Sequence, residues 1–437
     1  MIPADPQKQR EFATRVVRRL REAGFEAYWA GGCVRDQLLG RVPRDYDVAT
    51  SARPHQVRKI FGYRRTIPVG AAFGVITLLG QRGEGEIQIA TFRRDDRYSD
   101  GRHPDQVHFS TPEEDAKRRD FTINGLFFDP LNHRVIDFVG GQEDLRQRMI
   151  RAIGEPYDRF QEDKLRLLRA VRFAATFGFQ IEAKTFEAIR RLAPEIVVVS
   201  AERIAQEMER ILCEADPRQA IELMWATSLA RAVIPEIFSE NPRAQTTLRH
   251  NLELLKRLDP RTFPLALAIL LEGLCTPEEA SNIGRRWRLS NQQVRTVAWL
   301  LENRLLLEAA PRLPWSRVQP AMLDRDLPEL LRWAGLLHEA GELPAEVLAW
   351  WQEKSQLPQA VLNPPPVLTG EDLKEMGIVP GPLYRRLLHA VRCAQLDRQI
   401  ATPAEARELV QRLAAEMCKE ELSNNEESTE GTGEKRP

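Results

Sequence analysis

The sequence predicts an α+β protein, in which a mixed α/β domain at the N-terminus precedes a long, almost entirely helical remainder. Short β-branched runs alternate with helix-like segments up to about Gly140, as in "FGVITLLG" and "EIQIATF". Beyond that point leucine, alanine, arginine and glutamate recur at helical spacing nearly to the end, and strand signals vanish. We therefore expect a sheet in the first 140 residues and an almost entirely α-helical neck, body and tail after them.

The N-terminal elements follow one another in a regular order. Strands are predicted in "EAYWAGG", "RDYDVAT", "FGVITLLG", "EIQIATF" and "HRVIDFVGG". The segment "CVRDQLLG" after the first strand is predicted as a helix, and the polar segment "RRDDRYSDGRHPDQVHF" as a loop.

Breaks in the helical pattern divide the remainder. They lie near Ser200 and at "LPQAVLNPPPVLTGED", whose three consecutive prolines cannot lie inside a helix. The last stretch, "SNNEESTEGTGEKRP", has no apolar anchor and is predicted to be disordered. The resulting domains are a head (1–140), a helical neck (141–200), a helical body (201–355), a helical tail (356–420) and a disordered C-terminus (421–437).

Composition excludes several classes of protein. Lysine plus arginine equals aspartate plus glutamate at 63 each among 437 residues, so any surface for a nucleic acid must be local. The five cysteines contain no C-x-x-C pair, which suits neither a disulfide framework nor a zinc site. The N-terminus lacks the apolar core of a signal peptide, and the longest apolar run is too short to span a bilayer. We expect a cytoplasmic protein without a membrane segment.

Two aspartates in "RDYDVAT" indicate a metal site. Asp45 and Asp47 are two residues apart, so on a strand their carboxylates share one face, and carboxylate oxygens suit Mg²⁺. An isolated D-x-D pair is also common on a polar strand face or in a turn. Gly31 and Gly32 lie between the first strand and a helix, where backbone N–H groups can bind an anion, and Arg35 adds a positive charge. Together these residues are typical of phosphoryl transfer from a nucleoside triphosphate.

Three segments resemble one known family. "GGCVRDQLLGRVPRDYDVAT", "RRDFTINGLFFDP" and "EDKLRLLRAVRFAATFGF" look like the head and neck motifs of class II tRNA nucleotidyltransferases and bacterial poly(A) polymerases, in the polymerase β superfamily. The resemblance implies a polymerase β-like palm in the head, with Asp45 and Asp47 as the catalytic ligands of Mg²⁺. It also implies a set of nucleotide-binding residues: Gly31, Gly32, Arg35, Arg119, Asp163, Arg166, Arg169 and Arg172.

One strand departs from the family pattern. Relatives often carry an acid in the strand that here reads "EIQIATFR", where Gln88 takes its place and Glu86 lies two residues earlier. The resemblance therefore supports a site of two aspartates better than one of three acids. In the family, a flexible loop such as "RRDDRYSDGRHPDQVHF" helps the pocket change from cytidine to adenosine addition.

The segment "EDKLRLLRAVRF" is predicted as a helix that selects the base. Its polar residues Asp163 and Arg166 are three apart, which also fits an ordinary ion pair on the exposed face of a helix. Cytosine and adenine each present an amino donor beside a ring-nitrogen acceptor, whereas uracil and guanine present a carbonyl and an N–H. Asp163 would accept from the amino group and Arg166 would donate to the ring nitrogen, in place of a template.

Three functions follow from the resemblance. The first is addition of CCA, or of its terminal A, from CTP and ATP to the 3′ end of tRNA, with release of pyrophosphate. The second is synthesis of poly(A) on RNA 3′ ends from ATP, and the third is an RNA-binding protein without activity. The segment "LTGEDLKEMGIVPGPLYRRLLHAVRCAQLDRQIATPAEARELV" resembles the RNA-binding tail of the tRNA enzymes and favours the first.

Overall fold

The computed structural model describes residues 5–95 and 107–430. The chain divides into two compact units, Met1–Val294 and Arg295–Pro437. No helix within the described ranges has the length and apolar character needed to cross a membrane.

The first unit begins with the predicted sheet and its helices. The strands of this region are β1 (Ala27–Ala30), β2 (Asp47–Thr50), β3 (Thr66–Ile67), β4 (Val75–Leu79), β5 (Glu86–Thr91), β6 (Arg93–Asp95), β7 (Val107–Phe109), β8 (Leu126–Asp129) and β9 (Arg134–Asp137). The helices are α1 (Pro6–Glu22), α2 (Gly32–Leu38), α3 (Pro54–Phe61), α4 (Pro112–Lys117) and α5 (Gly141–Arg146). The amphipathic helix α1 buries Phe12, Val16 and Leu20 on the face that packs against β1 and β2.

Seven strands form one sheet in the order β3-β4-β5-β2-β1-β8-β9. Neighbouring strands are antiparallel except β2 and β5, which are parallel. In this register Asp47 lies opposite Ala30 on one side and opposite Gln88 on the other. Since Gly31 directly follows Ala30, the register brings the glycine pair and Asp47 to the same end of the sheet.

The polar loop predicted in "RRDDRYSDGRHPDQVHF" is partly ordered as strand. Its ends form β6 and β7, which pair antiparallel as a separate two-stranded sheet. Residues 96–106 of this loop lie outside the described residues, so its predicted function is not addressed by the structure.

The rest of the first unit is helical, with one exception that the sequence analysis missed. Short strands β10 (Met149–Ile150) and β11 (Gln180–Ile181) pair in parallel, a two-residue pairing within the otherwise helical region that the sequence predicts. Two residues are too few to show a period-two pattern. The helices are α6 (Pro156–Glu162), α7 (Leu165–Phe177), α8 (Ala183–Leu192), α9 (Ala201–Glu214), α10 (Pro217–Ala226), α11 (Leu229–Val233), α12 (Pro242–Arg257), α13 (Phe263–Leu271), α14 (Pro277–Arg286) and α15 (Asn291–Asn303), which crosses into the second unit.

The second unit continues with helices around its own apolar core. They are α16 (Leu306–Ala309), α17 (Trp315–Met322), α18 (Leu327–Glu339), α19 (Ala345–Ser355), α20 (Gln359–Leu362), α21 (Gly370–Glu375), α22 (Pro382–Leu396) and α23 (Pro403–Glu430). The three prolines lie between α20 and α21, and Leu373, Leu387 and Val391 are buried in one core cluster.

The last helix corrects the predicted C-terminus. Helix α23 continues to Glu430, so residues 421–430, predicted to be disordered, are helical. Four of these ten residues are glutamates, which are good helix formers, and a helix once begun extends at little cost beyond its last apolar contact. Residues 431–437 lie outside the described residues.

Candidate active site

One cleft of about 890 Å³ in the first unit is lined by all ten predicted site residues. These are Gly31, Gly32, Arg35, Asp45, Asp47, Arg119, Asp163, Arg166, Arg169 and Arg172. Its other lining residues are Arg44, Gln88, Arg93, Arg118, Asp120, Asn124, Phe173, Arg210 and Glu214. Nine arginines against five carboxylates give the wall an excess of positive charge, which suits a polyphosphate.

The junction between β1 and α2 requires a glycine. Gly31 has φ of 73°, in the left-handed region that favours glycine, and its carbonyl accepts the first hydrogen bonds of the helix from Val34 and Arg35. A Cβ on Gly31 would lie 2.7 Å from Nη1 of Arg119. The missing side chain therefore lets the Arg119 guanidinium lie directly against the backbone.

The two aspartates differ in their surroundings. Asp47 is the first residue of β2 and is half-buried, whereas Asp45 precedes the strand and is exposed, so the prediction that both lie on one strand is wrong for Asp45. Burial, and then the charge of Asp45, raise the pKa of Asp47 to about 6 against the opposing effect of Arg119. Among the described residues, neither carboxylate accepts a hydrogen bond from a side chain or a backbone N–H.

Strand β5, which pairs with β2, carries the two side chains at or near the position of the family's third acid, Gln88 and Glu86. Gln88 pairs with Asp47 and lines the cleft. Glu86 pairs with Leu79 and is exposed, and it does not line the cleft. The geometry therefore offers an amide, and not a third carboxylate, beside Asp47.

A buried polar chain joins α2 to α7. Nη1 of Arg35 donates to Oδ1 of Asn124 at 2.7 Å, and Nδ2 of Asn124 donates to Oδ1 of Asp120 at 3.1 Å. The other Asp120 oxygen pairs with Arg169 at 2.6 Å. Burial alone would raise the pKa of Asp120, but Arg169 and these hydrogen bonds lower it to about 2. This carboxylate is thus ionised at neutral pH and holds Arg169 in place.

Helix α4 orients the two arginines of "RRDFTIN". Its buried Asp115 pairs with Arg118 at 2.7 Å and with Arg119 at 3.0 Å. Nη1 of Arg119 also donates to the backbone oxygen of Asn124 at 3.2 Å. Both guanidiniums are therefore fixed where they line the cleft.

The predicted selection helix is interrupted at Asp163. Helix α6 ends at Glu162 and α7 begins at Leu165, while Asp163 is extended with φ of −149° and ψ of 105°. The ordinary i,i+3 ion pair between Asp163 and Arg166, the alternative to base reading, is absent from the contacts of the described residues, and Nη1 of Arg166 pairs instead with Glu162 at 2.6 Å. Both residues line the cleft as separate groups, one an acceptor and one a donor.

Helix α9 supplies two residues that the sequence analysis missed. Glu207 is buried and pairs with Arg172 at 2.6 Å and with Arg169 at 3.8 Å. Arg203 pairs with Asp163 at 2.7 Å. The two lie four apart in "SAERIAQEMERIL", on one helix face, but that spacing is common and carries no sign of which partner each would meet.

Comparison with known proteins fits this geometry. Residues 27–151 match the model described as "Poly A polymerase head domain", and residues 178–240 match "Probable RNA and SrmB- binding site of polymerase A". The chain is 33% identical over 392 residues to a CCA-adding enzyme of Streptococcus suis, covering 90% of this chain and 93% of the relative. It is 36% identical over 349 residues to the Enterococcus faecalis CCA-adding enzyme, covering 79% of each.

Solved structures include a similar fold over nearly the full length. The crystal structure of the Bacillus stearothermophilus CCA-adding enzyme in complex with CTP matches with a TM-score of 0.71 and 28% identity. The match covers 94% of this chain and 99% of that one. The head sheet and its cleft thus define a nucleotidyltransferase. The extent of identity then shows the family plainly: the chain belongs to the CCA-adding enzymes, which share their head domain with the poly(A) polymerases.

Proposed function

We propose that this enzyme adds cytidine and adenosine nucleotides to the 3′ end of tRNA, from CTP and ATP, without a nucleic-acid template. One observation carries the proposal: Asp45 and Asp47, suited to phosphoryl transfer, line the same cleft as Asp163 and Arg166, suited to reading cytosine or adenine. The CCA-adding relatives and the CTP-bound neighbour support it. We place the activity in the cytoplasm.

We propose that Asp45 and Asp47 hold Mg²⁺. The fit rests on Asp47, whose pKa is raised by burial and by Asp45, and which accepts no hydrogen bond among the described residues, so that a cation would relieve the repulsion. Within the described ranges, no three acidic, histidine or cysteine side chains cluster as a metal site, so water and substrate phosphates would complete the coordination. Bound there, Mg²⁺ would favour the ionised 3′-hydroxyl and neutralise charge on the triphosphate.

The chain's own residues orient the reactants. A bond forms between the RNA 3′-oxygen and the α-phosphorus, the bond to the bridging oxygen breaks, pyrophosphate leaves, and the hydroxyl proton passes to solvent. We assign Gly31, Gly32, Arg35 and Arg119 to the nucleotide, with Arg35 oriented by Asn124. The positive wall of the cleft stabilises the charge on the departing pyrophosphate.

Base selection is assigned to the junction between α6 and α7. Asp163 accepts from the amino group of cytosine or adenine, and Arg166 donates to the ring nitrogen. Uracil and guanine would place a carbonyl against the Asp163 carboxylate and an N–H against the Arg166 guanidinium. The buried groups would then lack hydrogen-bond partners, which costs binding free energy. Arg169 and Arg172, fixed by Asp120 and Glu207, complete the nucleotide site.

We divide the work of the chain among its predicted domains. The head (1–140) carries the reaction, the neck (141–200) reads the base, and the tail (356–420) binds RNA, while the body (201–355) connects the neck to the tail. These boundaries are predictions, and they differ from the compact units, which meet between residues 294 and 295.

Pyrophosphate release tests the proposal. The full-length protein is incubated with a tRNA transcript lacking its CCA end, Mg²⁺ and one nucleotide, or with a transcript ending in CC and one nucleotide. We expect CTP to react with the first transcript and ATP with the second, and neither UTP nor GTP to react comparably. No release with any nucleotide would support an inactive RNA-binding protein, and equal release with all four would contradict base selection.

A further inference from the structure

The Asp163 carboxylate is held at both oxygens by groups outside the cleft. Oδ1 accepts from the backbone N–H of Leu165 at 3.0 Å, which fixes it at the start of α7. Oδ2 accepts from Nη2 of Arg203 at 2.7 Å, across 40 residues of sequence. Each oxygen keeps a free lone pair, because a carboxylate can accept about four hydrogen bonds.

The guanidinium of Arg203 forms its ion pair with Asp163. Among the described residues, no other carboxylate, carbonyl or ring contacts its guanidinium. Its side chain is 19% exposed and that of Asp163 is 16% exposed, so the pair is mostly removed from water. Asp163 lines the cleft and Arg203 does not.

Arg166, the second residue assigned to reading the base, is also held by hydrogen bonds to neighbouring groups. Nη1 of Arg166 donates to Oε2 of Glu162 at 2.6 Å and to the backbone oxygen of Arg159 at 2.8 Å. Asp163 and Arg166 are oppositely charged, three residues apart and line the same cleft, so a direct pair between them competes with these contacts; Arg169 and Asp120 are the other charged groups nearby, and they pair with each other. A direct ion pair between Asp163 and Arg166 would occupy both the hydrogen-bond acceptor and the hydrogen-bond donor that the base requires.

We infer that Arg203 is a specificity-determining positioning residue: it orients the Asp163 carboxylate toward the cleft and keeps it from pairing with Arg166. The inference rests on the proposed function, since it takes Asp163 as the reader of the amino group. Arg203 acts from behind the carboxylate and makes no contact with the nucleotide. Its loss therefore weakens discrimination between bases more than it weakens the reaction.

The test measures kcat/KM for CTP and for UTP separately, with the full-length protein and a tRNA transcript lacking its CCA end. Arg203→Met keeps the length of the side chain without its donors, and Arg203→Lys keeps the charge. We expect Arg203→Met to reduce the preference for CTP over UTP about tenfold, mainly through the KM for CTP, and Arg203→Lys to retain most of it. Asp163→Ala should lose the preference to at least the same extent.

The double variant Asp163→Ala/Arg203→Met separates positioning from direct contact. If Arg203 acts through Asp163, the double variant discriminates no worse than Asp163→Ala. A further loss in the double variant would mean that Arg203 touches the nucleotide itself, and would overturn the inference. Equal losses for CTP and UTP in Arg203→Met would also overturn it, because they would indicate a purely structural role.

The control is Glu202→Gln. Glu202 lies on the same helix as Arg203, and its 2.7 Å ion pair with Arg288 is far more exposed to solvent than the pair between Arg203 and Asp163. Glu202→Gln should leave the preference for CTP over UTP unchanged, and a comparable loss in this variant would contradict a specific role for Arg203.

Asp163→Ala separates the inference from the function on which it rests. An unchanged preference in Asp163→Ala would contradict base reading itself, whereas a loss there with none in Arg203→Met would contradict the inference alone.

Discussion

Asp47 differs in its surroundings from the arginine-paired carboxylates Asp120 and Asp115. Its carboxylate is half-buried, carries a raised pKa and accepts no hydrogen bond among the described residues, although it lies beside a wall of arginines. A structural carboxylate in this protein looks different: Asp120 and Asp115 are buried but paired with arginines, and both have lowered pKa values. The contrast is the reason that we propose Asp47, and not Asp120 or Asp115, as a metal ligand.

Replacing Asp47 should therefore stop the reaction without preventing RNA binding. We expect Asp47→Ala to reduce nucleotide incorporation by about a thousandfold or more, because the proposed Mg²⁺ ligand is lost, while the Kd for tRNA changes little. Glu86→Ala is the matched control, since that carboxylate lies on the neighbouring strand outside the cleft. Appreciable incorporation by Asp47→Ala, or an equal loss in Glu86→Ala, would contradict the assignment.

The pH dependence of stability gives a second test of Asp47. Its folded-state pKa of about 6 exceeds the ordinary value of 3.8, so between these values the folded protein binds more protons than the unfolded chain. Stability therefore falls as pH rises from about 4 to about 6, and the cost persists above it. In metal-free protein at pH 8, Asp47→Asn should raise the free energy of unfolding by about 3 kcal/mol, and by much less at pH 4.

Urea unfolding in the presence of a chelator measures both values. Mg²⁺ should reduce the difference between the two proteins at pH 8, because it stabilises the wild-type carboxylates. A variant no more stable than the wild type at pH 8 would show that Asp47 is not strained by burial and by Asp45.

At the scale of elements, the junction of β1 and α2 is the most constrained part of the site. Gly31 has φ of 73° and ψ of −126°, whereas Gly140, at the start of α5, has φ of 79° and ψ of 20°, so alanine strains both backbones but strains that of Gly31 more. A Cβ on Gly31 would displace Arg119, whereas a Cβ on Gly140 meets nothing within 4 Å. Gly140→Ala therefore serves as a control for backbone strain without a displaced side chain.

We expect Gly140→Ala to lose roughly 1–2 kcal/mol of stability from strain, and Gly31→Ala to lose more. Only Gly31→Ala should also raise the KM for CTP and ATP, by about tenfold, because Arg119 is displaced from the cleft. Thermal unfolding and steady-state kinetics measure the two effects. Equal KM values in the two variants would show that Arg119 is not held by this junction.

The sequence predicted the elements of the site better than their junctions. The strand, glycine pair and helix of β1 and α2 follow from local patterns, and so does the strand that begins at Asp47. The extended backbone of Asp163 did not, because arginines and leucines at helical spacing continue through it while the interruption is fixed by Arg203 and Leu165. Glu207 and Asp120 were missed for the same reason: their partners are distant in sequence and meet only in the fold.

At the scale of the whole molecule, a chain of zero formal charge presents a strongly positive cleft. Nine arginines line the cleft, although lysine and arginine balance aspartate and glutamate over the full sequence. The absence of net charge therefore says nothing against an RNA partner, whose contacts depend on local charge.

RNA binding should depend steeply on salt. If about three phosphates are contacted, the affinity for tRNA should fall about tenfold or more between 50 and 200 mM monovalent salt, because each contact releases condensed counterions. Fluorescence anisotropy of labelled tRNA measures the slope. A flat response over this range would mean that the arginines do not meet the RNA or its phosphates.

Product length on tRNA is the most direct test of nucleotide addition that stops at CCA. A transcript lacking its CCA end is incubated with CTP, with ATP, or with both, and the products are resolved at single-nucleotide resolution. We expect two added nucleotides with CTP alone, none with ATP alone, and three with both, and one adenosine from ATP on a transcript ending in CC. A long ladder of products from ATP alone would instead identify a poly(A) polymerase and contradict the proposed function.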